Sequence, residues 1–262
     1  MIRAMWSAAS GMHAQQLQID TIANNLANVN TNGFKRSRTE FRDLTYEMID
    51  APGAPSSSTT RSPAGIQLGL GVQTGAVKKL FSQGDFKNTD NPLDLIIQGK
   101  GFFKVQLPDG TTAYTRDGAF TSNSEGQLVT SRGLLLDPPI TLPPDSMAID
   151  IGEDGTVSVT QAGQTTPTEL GQIELANFVN PTGLISLGGN LYQQSQASGD
   201  PIDGTPGIDG LGTVGQGFLE ISNVSIVTEL VDMIAAQRSY ELNSRTVRAA
   251  DEMMQQLNNL VR

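Results

Sequence analysis

Cysteine is absent from this chain of 262 residues, and a single histidine, His13, is present. The lack of cysteine excludes disulfides, zinc thiolate sites and cysteine nucleophiles together. No apolar run reaches the length of a signal-peptide core or of a membrane span. The sequence therefore predicts neither a cleavable signal peptide nor membrane insertion.

Charged residues are also scarce. They make up 17% of the chain, against roughly 25% in an average globular domain. Acidic residues outnumber basic ones, and the formal net charge is -10. Nucleic acids and anionic membranes attract clustered Lys and Arg, so this balance argues against both as the main partner. We expect no nucleic-acid partner.

The N-terminal segment has the pattern of an amphipathic helix. Apolar residues recur at alternating spacings of three and four, and only Gln16 interrupts them. Its nearly uncharged surface carries amides where a solvated helix usually has Lys and Glu, so we expect the helix to be crowded by several neighbours. The predicted packing residues are Ile2, Met5, Ala9, Met12, Ile19 and Leu26 along the apolar stripe, with Asn24, Asn25 and Asn28 on the amide face.

The C-terminal segment predicts a second long helix, capped at its start by Ser222 or Asn223. Apolar residues recur there at intervals of seven, while the companion positions are mostly polar. The predicted packing residues are Ile226, Leu230, Met233, Tyr240, Val247, Met254 and Val261. Two such helices at opposite ends favour packing between molecules. Packing of each helix on the core of its own domain is the alternative.

Between the two helices the helical period disappears, and short apolar runs alternate with turn signals. Asp-Gly or Glu-Gly pairs follow or precede such runs at residues 109–110, 117–118, 125–126 and 154–155. These pairs are strong signals for β-hairpins. The fold class we predict is therefore α+β, with long N- and C-terminal helices forming a coiled-coil-like inner domain around a central all-β, antiparallel domain.

Two stretches rich in Gly, Pro and Ser bracket the predicted β domain, at residues 51–65 and 195–217. They cannot form helix interiors or long strands, so they are either flexible linkers or extended arms that neighbouring subunits order.

We predict that the chain has three parts. Residues 1–32 and 222–262 form a discontinuous helical assembly domain, residues 33–75 and 195–221 form extended arms, and residues 76–194 form the β domain.

No segment of the sequence predicts an active site. The single histidine lies beside the apolar stripe of an uncharged helix, where a packing role is favoured over catalysis. Residues 150–155 lack the ligands of a calcium loop, and residues 210–215 satisfy G-x-G-x-x-G without a surrounding βαβ unit. We predict no catalytic, cofactor-binding or metal-binding residue and no cofactor. A glycan enzyme or glycan-binding module that uses acidic pairs in turns, such as Asp85 with Asp90, is a minor alternative.

Three groups of segments resemble bacterial flagellar rod and hook proteins. The N-terminal signature is similar at residues 10–12, 14–16, 19–20, 22–31 and 33–35. The C-terminal signature is similar at residues 222–224, 229–231, 233–234, 237–238, 240–241 and 243. The shared middle domain of the longer members is similar at residues 101–103, 114–118 and 126–129. The resemblance covers both ends and the start of the β domain.

Within that family the insertion at residues 46–72 resembles the one found in the distal part of the rod. The resemblance implies a structural subunit, not an enzyme, that assembles helically into a rigid hollow drive shaft and transmits torque to the hook. A proximal rod neighbour or a hook-type subunit is the alternative within the family. The stiffening residues that we assign to the insertion are Tyr46, Pro52, Pro55, Pro63, Leu68 and Val72.

The resemblance also implies partners and a location. The partners are further copies of the chain, proximal rod proteins, the hook protein and the surrounding outer ring proteins. The location is the basal-body rod in the periplasm, reached through the flagellar type III export apparatus. We further expect the N-terminal helix to be the more deeply packed of the two, and the C-terminal helix to present polar groups to the export channel.

Overall fold

A computed structural model describes residues 2–52, 64–162 and 166–260, without the side chains of Ile2 and Leu260. The chain divides into two compact units. The helical unit consists of Met1–Leu26, Ser37–Lys78 and Ser225–Arg262, and the β unit consists of Ala27–Arg36 and Lys79–Val224. Two helices at the ends and an antiparallel β-rich middle confirm the predicted α+β layout.

Both long helices form where the apolar period predicts them. Helix α1 spans Ile2–Ala27, and Gly33, with φ of 67°, follows its last turn. Helix α2 spans Ile226–Leu260 and carries Glu229 in its first turn, where a carboxylate suits the positive end of the helix dipole. The predicted caps are wrong, because α2 begins only at Ile226. The hydroxyl of Ser222 accepts from the amide of Val224 before the helix, and the side chain of Asn223 bonds the backbone of Arg36, Leu80 and Ser82. Within the described residues neither helix is long and apolar enough to cross a membrane.

Twenty short strands fill the rest of the described chain. In order they are β1 Ser37–Asp43, β2 Tyr46–Asp50, β3 Ile66–Gly69, β4 Val72–Lys79, β5 Phe86–Asn88, β6 Leu95–Gln98, β7 Phe102–Gln106, β8 Thr112–Thr115, β9 Phe120–Ser122, β10 Leu128–Thr130, β11 Leu135–Leu136, β12 Ser146–Ile151, β13 Thr156–Gln161, β14 Thr168–Gln172, β15 Leu175–Asn177, β16 Ile185–Gly188, β17 Leu191–Gln193, β18 Ile202–Gly204, β19 Thr213–Gln216 and β20 Phe218–Glu220. A 3-10 turn, Pro181–Gly183, precedes β16.

The β unit is built from antiparallel sheets around three clusters of buried apolar residues, the smallest of which is Val105, Ala113 and Leu191. A nine-stranded sheet has the order β16-β17-β8-β7-β11-β10-β9, with β15 pairing both β7 and β18. Strands β12, β13 and β14 form a second sheet, and the pairs β6–β19 and β5–β20 complete the unit. The main core contains Leu95, Phe103, Phe120, Val157 and Leu175, all at most 1% exposed. Edge-to-face contacts hold a second core of Phe102, Tyr114, Phe178 and Tyr192.

Three of the four predicted hairpin turns are confirmed. Strands β7 and β8 pair across residues 109–110, β9 and β10 across 125–126, and β12 and β13 across 154–155. The hairpin predicted at residues 117–118 is wrong, because β8 and β9 lie in the same sheet without pairing. There the chain turns towards β6 instead, and the carbonyl of Gly118 accepts a hydrogen bond from the amide of Leu95.

Strands flank the first Gly- and Pro-rich segment and lie within the second. In the helical unit, β1 pairs with β4, and β2 pairs with β3 in a separate two-stranded ribbon. In the β unit, β18 and β19 come from the second such segment and pair with β15 and β6. Leu211 and Val214 of that segment belong to the main core. Apolar residues spaced among the glycines therefore anchor a stretch that composition alone makes look like a linker.

Candidate functional site

A buried cluster of three charged side chains lies in the β unit, and we call it the ion cluster. Lys35 Nζ lies 2.6 Å from Glu220 Oε1, and Arg116 Nη1 lies 3.5 Å from Glu220 Oε2. The exposed fractions of the three side chains are 0%, 4% and 1% for Lys35, Arg116 and Glu220. The residues are contributed by the segment after α1, the end of β8 and the end of β20, so the cluster joins segments that are far apart in sequence.

Backbone groups complete the polar contacts of the ion cluster. Lys35 Nζ also donates to the carbonyl of Ser82 at 2.8 Å, and the amide of Gly84 donates to Glu220 Oε1 at 2.8 Å. Arg116 Nη2 donates to the carbonyl of Gly99 at 2.8 Å. Within the described residues Arg116 Nε and Nη1 and Glu220 Oε2 have no hydrogen-bond partner, so their stabilisation depends on the ion pair itself.

Burial sets the electrostatics of the ion cluster. It lowers the pKa of Lys35, although the carboxylate of Glu220 opposes this effect, and it also lowers the pKa of Arg116. Burial raises the pKa of the neighbouring Tyr192 hydroxyl. Among the described residues Glu220 is the anion that pairs with both buried cations, and its loss would leave them without that counter-charge.

The ion cluster brings together segments that sequence comparison treats as separate signatures. Lys35 follows Gly33 in the N-terminal signature, and Arg116 belongs to the middle one. A Cβ on Gly33 would lie 2.7 Å from the Arg116 carbonyl carbon, and the residue has a φ of +67°. Two constraints, space and backbone conformation, therefore require glycine there. Sequence analysis missed the cluster because its three charges lie at positions 35, 116 and 220 and pair only through the tertiary structure.

Asp117 follows Arg116 of the ion cluster, and its carboxyl group allows the effect of burial on stability to be tested. Burial raises its pKa above the ordinary 3.8, the Ala119 amide opposes this, and the charge of Asp94 adds to it. Because the pKa is higher in the folded state, the ionised carboxylate costs stability above the folded-state pKa, and the cost disappears below 3.8. Asp117→Asn keeps an acceptor for Ala119, so we expect it to raise the free energy of unfolding at pH 7 and to lose that advantage as the pH falls below about 4.

Denaturant titrations between pH 3 and pH 7 would measure this. The matched control is Asp109→Asn in the exposed turn between β7 and β8. There the hydroxyl and amide of Thr111 lower the carboxyl pKa, so the sign reverses and the variant is expected to lose stability at pH 7. A stability difference for Asp117→Asn that does not change with pH would contradict the assignment.

In the helical unit two contacts define how α1 and α2 meet. Asn25 Nδ2 donates to Glu229 Oε2 at 3.1 Å, and both residues are 1% exposed. At the other contact a Cβ on Gly11 would lie 2.9 Å from Asn243 Nδ2. Moving back along α1 from Asn25 to Gly11 corresponds to moving forward along α2 from Glu229 to Asn243, so the two helices are antiparallel.

The predicted packing residues of α1 lie beside this contact. Met5, Met12, Ile19, Leu26 and Asn28 are half-buried, Ala9 and Asn24 are exposed, and Asn25 is buried. The fully buried apolar residues of α1 are Ala8, Ala14 and Ile22. The side chain of Ile2 is outside the described residues. The buried stripe is thus displaced by about one residue from the predicted one, and most predicted residues remain accessible to a second molecule.

The predicted residues of α2 are more accessible. Met233 and Val247 are half-buried, Val261 lies outside the described residues, and Ile226, Leu230, Tyr240 and Met254 are exposed by 37 to 48%. Other large apolar side chains of α2 are exposed by 48 to 73%: Val227, Val231, Ile234, Leu242, Met253 and Leu257. A helix with this much exposed apolar surface is typical of a protein that buries it in an assembly.

The ribbon of β2 and β3 is the second exposed apolar surface of the helical unit. Its residues pair in antiparallel register, from Tyr46 with Gly69 to Asp50 with Ile66. Tyr46, Met48, Ile49, Ile66 and Leu68 are 43 to 58% exposed. Of the other residues predicted for the insertion, Pro52 is exposed and Val72 half-buried, while Pro55 and Pro63 lie outside the described residues. A two-stranded ribbon is marginally stable alone, so this one is expected to need a covering surface.

Comparison with known proteins places these features in a class. Residues 5–35 match the family described as flagella basal body rod protein, residues 96–159 match the flagellar hook protein FlgE/F/G D1 domain, and residues 216–260 match the C-terminal part of flagellar basal body rod FlgEFG proteins. The three matches follow the order of α1, the β unit and α2. They define a structural protein of the flagellar rod and hook class.

Relatives along the whole length identify the family within that class. The flagellar basal-body rod protein FlgG of Buchnera aphidicola subsp. Schizaphis graminum is 52% identical over 260 residues, which is 99% of this chain and 100% of the relative. The FlgG proteins of Borreliella burgdorferi and Caulobacter vibrioides are 48% and 47% identical over at least 99% of both chains. The chain belongs to the FlgG family of flagellar basal-body rod proteins. It is a structural rod subunit and not an enzyme, so the glycan-enzyme alternative is wrong.

Proposed function

We propose that this chain forms the distal part of the flagellar rod by helical self-assembly into a stiff, hollow shaft that carries motor torque to the hook. In this proposal residues 1–32 and 222–262 form the inner, coiled-coil-like tube around the export channel, and residues 33–75 form a connecting arm. Residues 76–194 form the outer domain together with residues 195–221, which pack within the β unit. The subunit reaches the periplasm through the flagellar type III apparatus. Its partners are its own copies, the proximal rod proteins, the hook protein and the outer ring proteins.

The exposed apolar surface of the two helices is the observation that carries this proposal. Trp6 is 72% exposed on α1, and Val227, Val231 and Ile234 are 58 to 73% exposed on α2. At about 25 cal/mol per Å² of apolar area, covering side chains of this size is a strong drive for association. The residues predicted from the heptads, from Met5 to Leu26 and from Ile226 to Met254, are proposed as part of that interface. The less charged helix, α1, is proposed as the more deeply packed partner.

The β2–β3 ribbon is proposed as the stiffening element. In this hypothesis residues 46–72 lie along adjacent subunits and prevent the axial sliding that allows a tube to bend. The ribbon's apolar side chains are exposed in the single chain, which supports a role in contacts between copies. Arg3 Nη2 pairs with Glu47 Oε1 at 2.8 Å, so α1 is linked to the base of the ribbon within one chain.

Removal of residues 46–72 is expected to convert the straight rod into a flexible, hook-like tube. Electron micrographs of purified hook-basal bodies would show the curvature. A milder variant changes the contact surface and keeps the strands: Met48→Thr, Ile49→Thr, Ile66→Thr and Leu68→Thr together. Because these side chains are exposed in the single chain, the change is expected to cost little stability while weakening contacts between copies.

The control for the ribbon experiment replaces an equal number of exposed apolar residues of the β unit. These are Met147, Ile185, Ile202 and Ile208, each changed to Thr and each 51 to 77% exposed. This variant is expected to keep straight rods. Straight rods from the chain lacking residues 46–72 would refute the stiffening hypothesis, and equal bending in the control variant would show that the effect is not specific to the ribbon.

A further inference from the structure

The chain passes between its two units at four places: residues 26/27, 36/37, 78/79 and 224/225. A subunit of a rotating shaft is loaded mechanically, and force between the units is transmitted along these four covalent crossings. If a single crossing carries the load, its flanking hydrogen bonds break one after another. If neighbouring crossings are bonded to one another, they share the load. The side chains next to the crossings therefore decide how the subunit responds to force.

One side chain joins three crossings within the β unit. Asn223 Oδ1 accepts from the amide of Arg36 at 2.7 Å, and Asn223 Nδ2 donates to the carbonyls of Leu80 at 2.8 Å and Ser82 at 3.1 Å. Arg36, Leu80 and Asn223 each lie within two residues of a different crossing. The backbone adds a direct bond from the amide of Leu80 to the carbonyl of Arg36 at 2.8 Å.

The ion cluster joins the same three chain segments a second time, through residues that lie beside those bonded by Asn223. Number the joined segments by Arg36 in the first, Leu80 in the second and Asn223 in the third. Lys35 lies in the first segment and bonds the carbonyl of Ser82 in the second and the carboxylate of Glu220 in the third. The amide of Gly33 donates to the carbonyl of Glu220 at 2.8 Å, which adds a backbone link between the first and third segments. The three segments are therefore bonded to one another at two successive levels.

A second asparagine has the equivalent position within the helical unit. Asn25 Oδ1 accepts from the amide of Ser37 at 2.9 Å, and Asn25 Nδ2 donates to the carbonyl of Ser37 at 2.8 Å and to Glu229 Oε2 at 3.1 Å. Asn25 and Ser37 lie next to the first and second crossings, and Glu229 lies in the first turn of α2, just after the fourth. Both asparagines thus connect three segments through one planar amide.

We propose that Asn25 and Asn223 are load-sharing ties, which distribute force between the two units over several crossings of the chain. The amide side chain suits this role because it offers a donor and an acceptor at one rigid, uncharged group. Asn25 is 1% exposed, so water competes little for its bonds. The proposal goes beyond assembly, because it concerns how each subunit holds together under load.

Single-molecule pulling on the isolated full chain would test the ties. The chain has no cysteine, so two introduced cysteines give unambiguous attachment points. In the first geometry, Thr45→Cys in the helical unit and Ser124→Cys in the β unit send the force through the crossings. In the second geometry, Asp109→Cys and Ser124→Cys keep it within the β unit. We expect Asn223→Ala and Asn25→Ala each to lower the rupture force in the first geometry and to leave it unchanged in the second.

The matched control is Asn180→Ala. Asn180 Nδ2 also bonds a backbone carbonyl, that of Ala197 at 3.0 Å, but it lies far in sequence from all four crossings. The proposal would be refuted if Asn25→Ala and Asn223→Ala lowered the rupture force in the first geometry by no more than Asn180→Ala does. An equal loss of rupture force in both geometries would also refute it. Asn223→Asp keeps an acceptor for Arg36 and removes every donation by Nδ2, including the one to Ser82 Oγ at 2.9 Å. An intermediate rupture force is therefore expected even if the alanine variant does not fold. Because no assembly is needed, this result is independent of the ribbon experiment.

Discussion

Glu220→Ala is expected to cost about 3–5 kcal/mol of the free energy of unfolding of the β unit, because it leaves two buried cations without their anion. Lys35 and Arg116 would then repel each other in a site from which water is excluded, and the amide of Gly84 would lose its acceptor. Urea denaturation followed by circular dichroism would measure the loss. Fluorescence of the single tryptophan is unsuitable, since Trp6 lies in α1, in the helical unit.

The control for this prediction is Glu174→Ala. Glu174 Oε2 lies 2.7 Å from Lys104 Nζ, but the Glu174 side chain is 44% exposed, and Lys104 keeps a second partner in Asp203 at 3.1 Å. We expect a cost below about 1 kcal/mol there. Removing the whole ion cluster, as Lys35→Met, Arg116→Met and Glu220→Leu together, is expected to cost less than Glu220→Ala alone. A Glu220→Ala protein as stable as the Glu174→Ala control would show that the ion cluster is unimportant for the fold.

Gly118→Ala is the second substitution for which we expect a large effect, about 3 kcal/mol or more. A Cβ at this buried position would overlap the carbonyl oxygen of Leu95 and lie 2.7 Å from its carbonyl carbon. The segments cannot separate to make room without breaking the bond from the Leu95 amide to the Gly118 carbonyl, which is 3.0 Å long. Leu95 is itself 1% exposed in the main core, so relaxation would disturb the packing there.

Gly110→Ala separates this steric effect from a backbone effect. Gly110 has a φ of +83°, and a Cβ added there would meet no atom within 4 Å. Alanine at this position therefore costs only the strain of the left-handed conformation, about 1–2 kcal/mol. Thermal and urea unfolding of both variants would give the comparison. An equal or smaller loss for Gly118→Ala would mean that the close approach to Leu95 relaxes easily.

The heptad pattern predicted where the helices are, and it did not predict which stripe each presents to the other. The predicted stripe of α1 includes Met5, Met12 and Ile19, whereas Gly11 and Asn25 make the contacts with α2. Small residues permit the closer approach of two helices, and a buried amide with a carboxylate partner fixes their register. Neither a small residue nor a buried amide contributes to the apolar period of a helix, so the period does not reveal these contacts. Whether the predicted stripe packs against other subunits stays a prediction.

Turn chemistry was equally informative, and its failure has a clear cause. The pairs at 109–110 and 154–155 close hairpins because the strands on either side are also the best partners available to each other. The Asp-Gly pair at 117–118 does not close a hairpin, because β8 pairs with β7 and β17, and β9 pairs with β10. The turn residues fix a local reversal of the chain. The choice of partner depends on strands elsewhere in the sheet.

The sequence by itself determined the two helices, the antiparallel middle and the resemblance to rod and hook proteins, because period, turn residues and short signatures are local properties of the chain. Only the tertiary structure decided which distant residues meet. Lys35 and Glu220 are separated by 185 positions and pair in the core of the β unit, and Asn25 and Glu229 are separated by 204 and pair between the helices. Such pairs form because burying the surrounding apolar residues brings them together, and a buried charge or amide is then stable only with a partner.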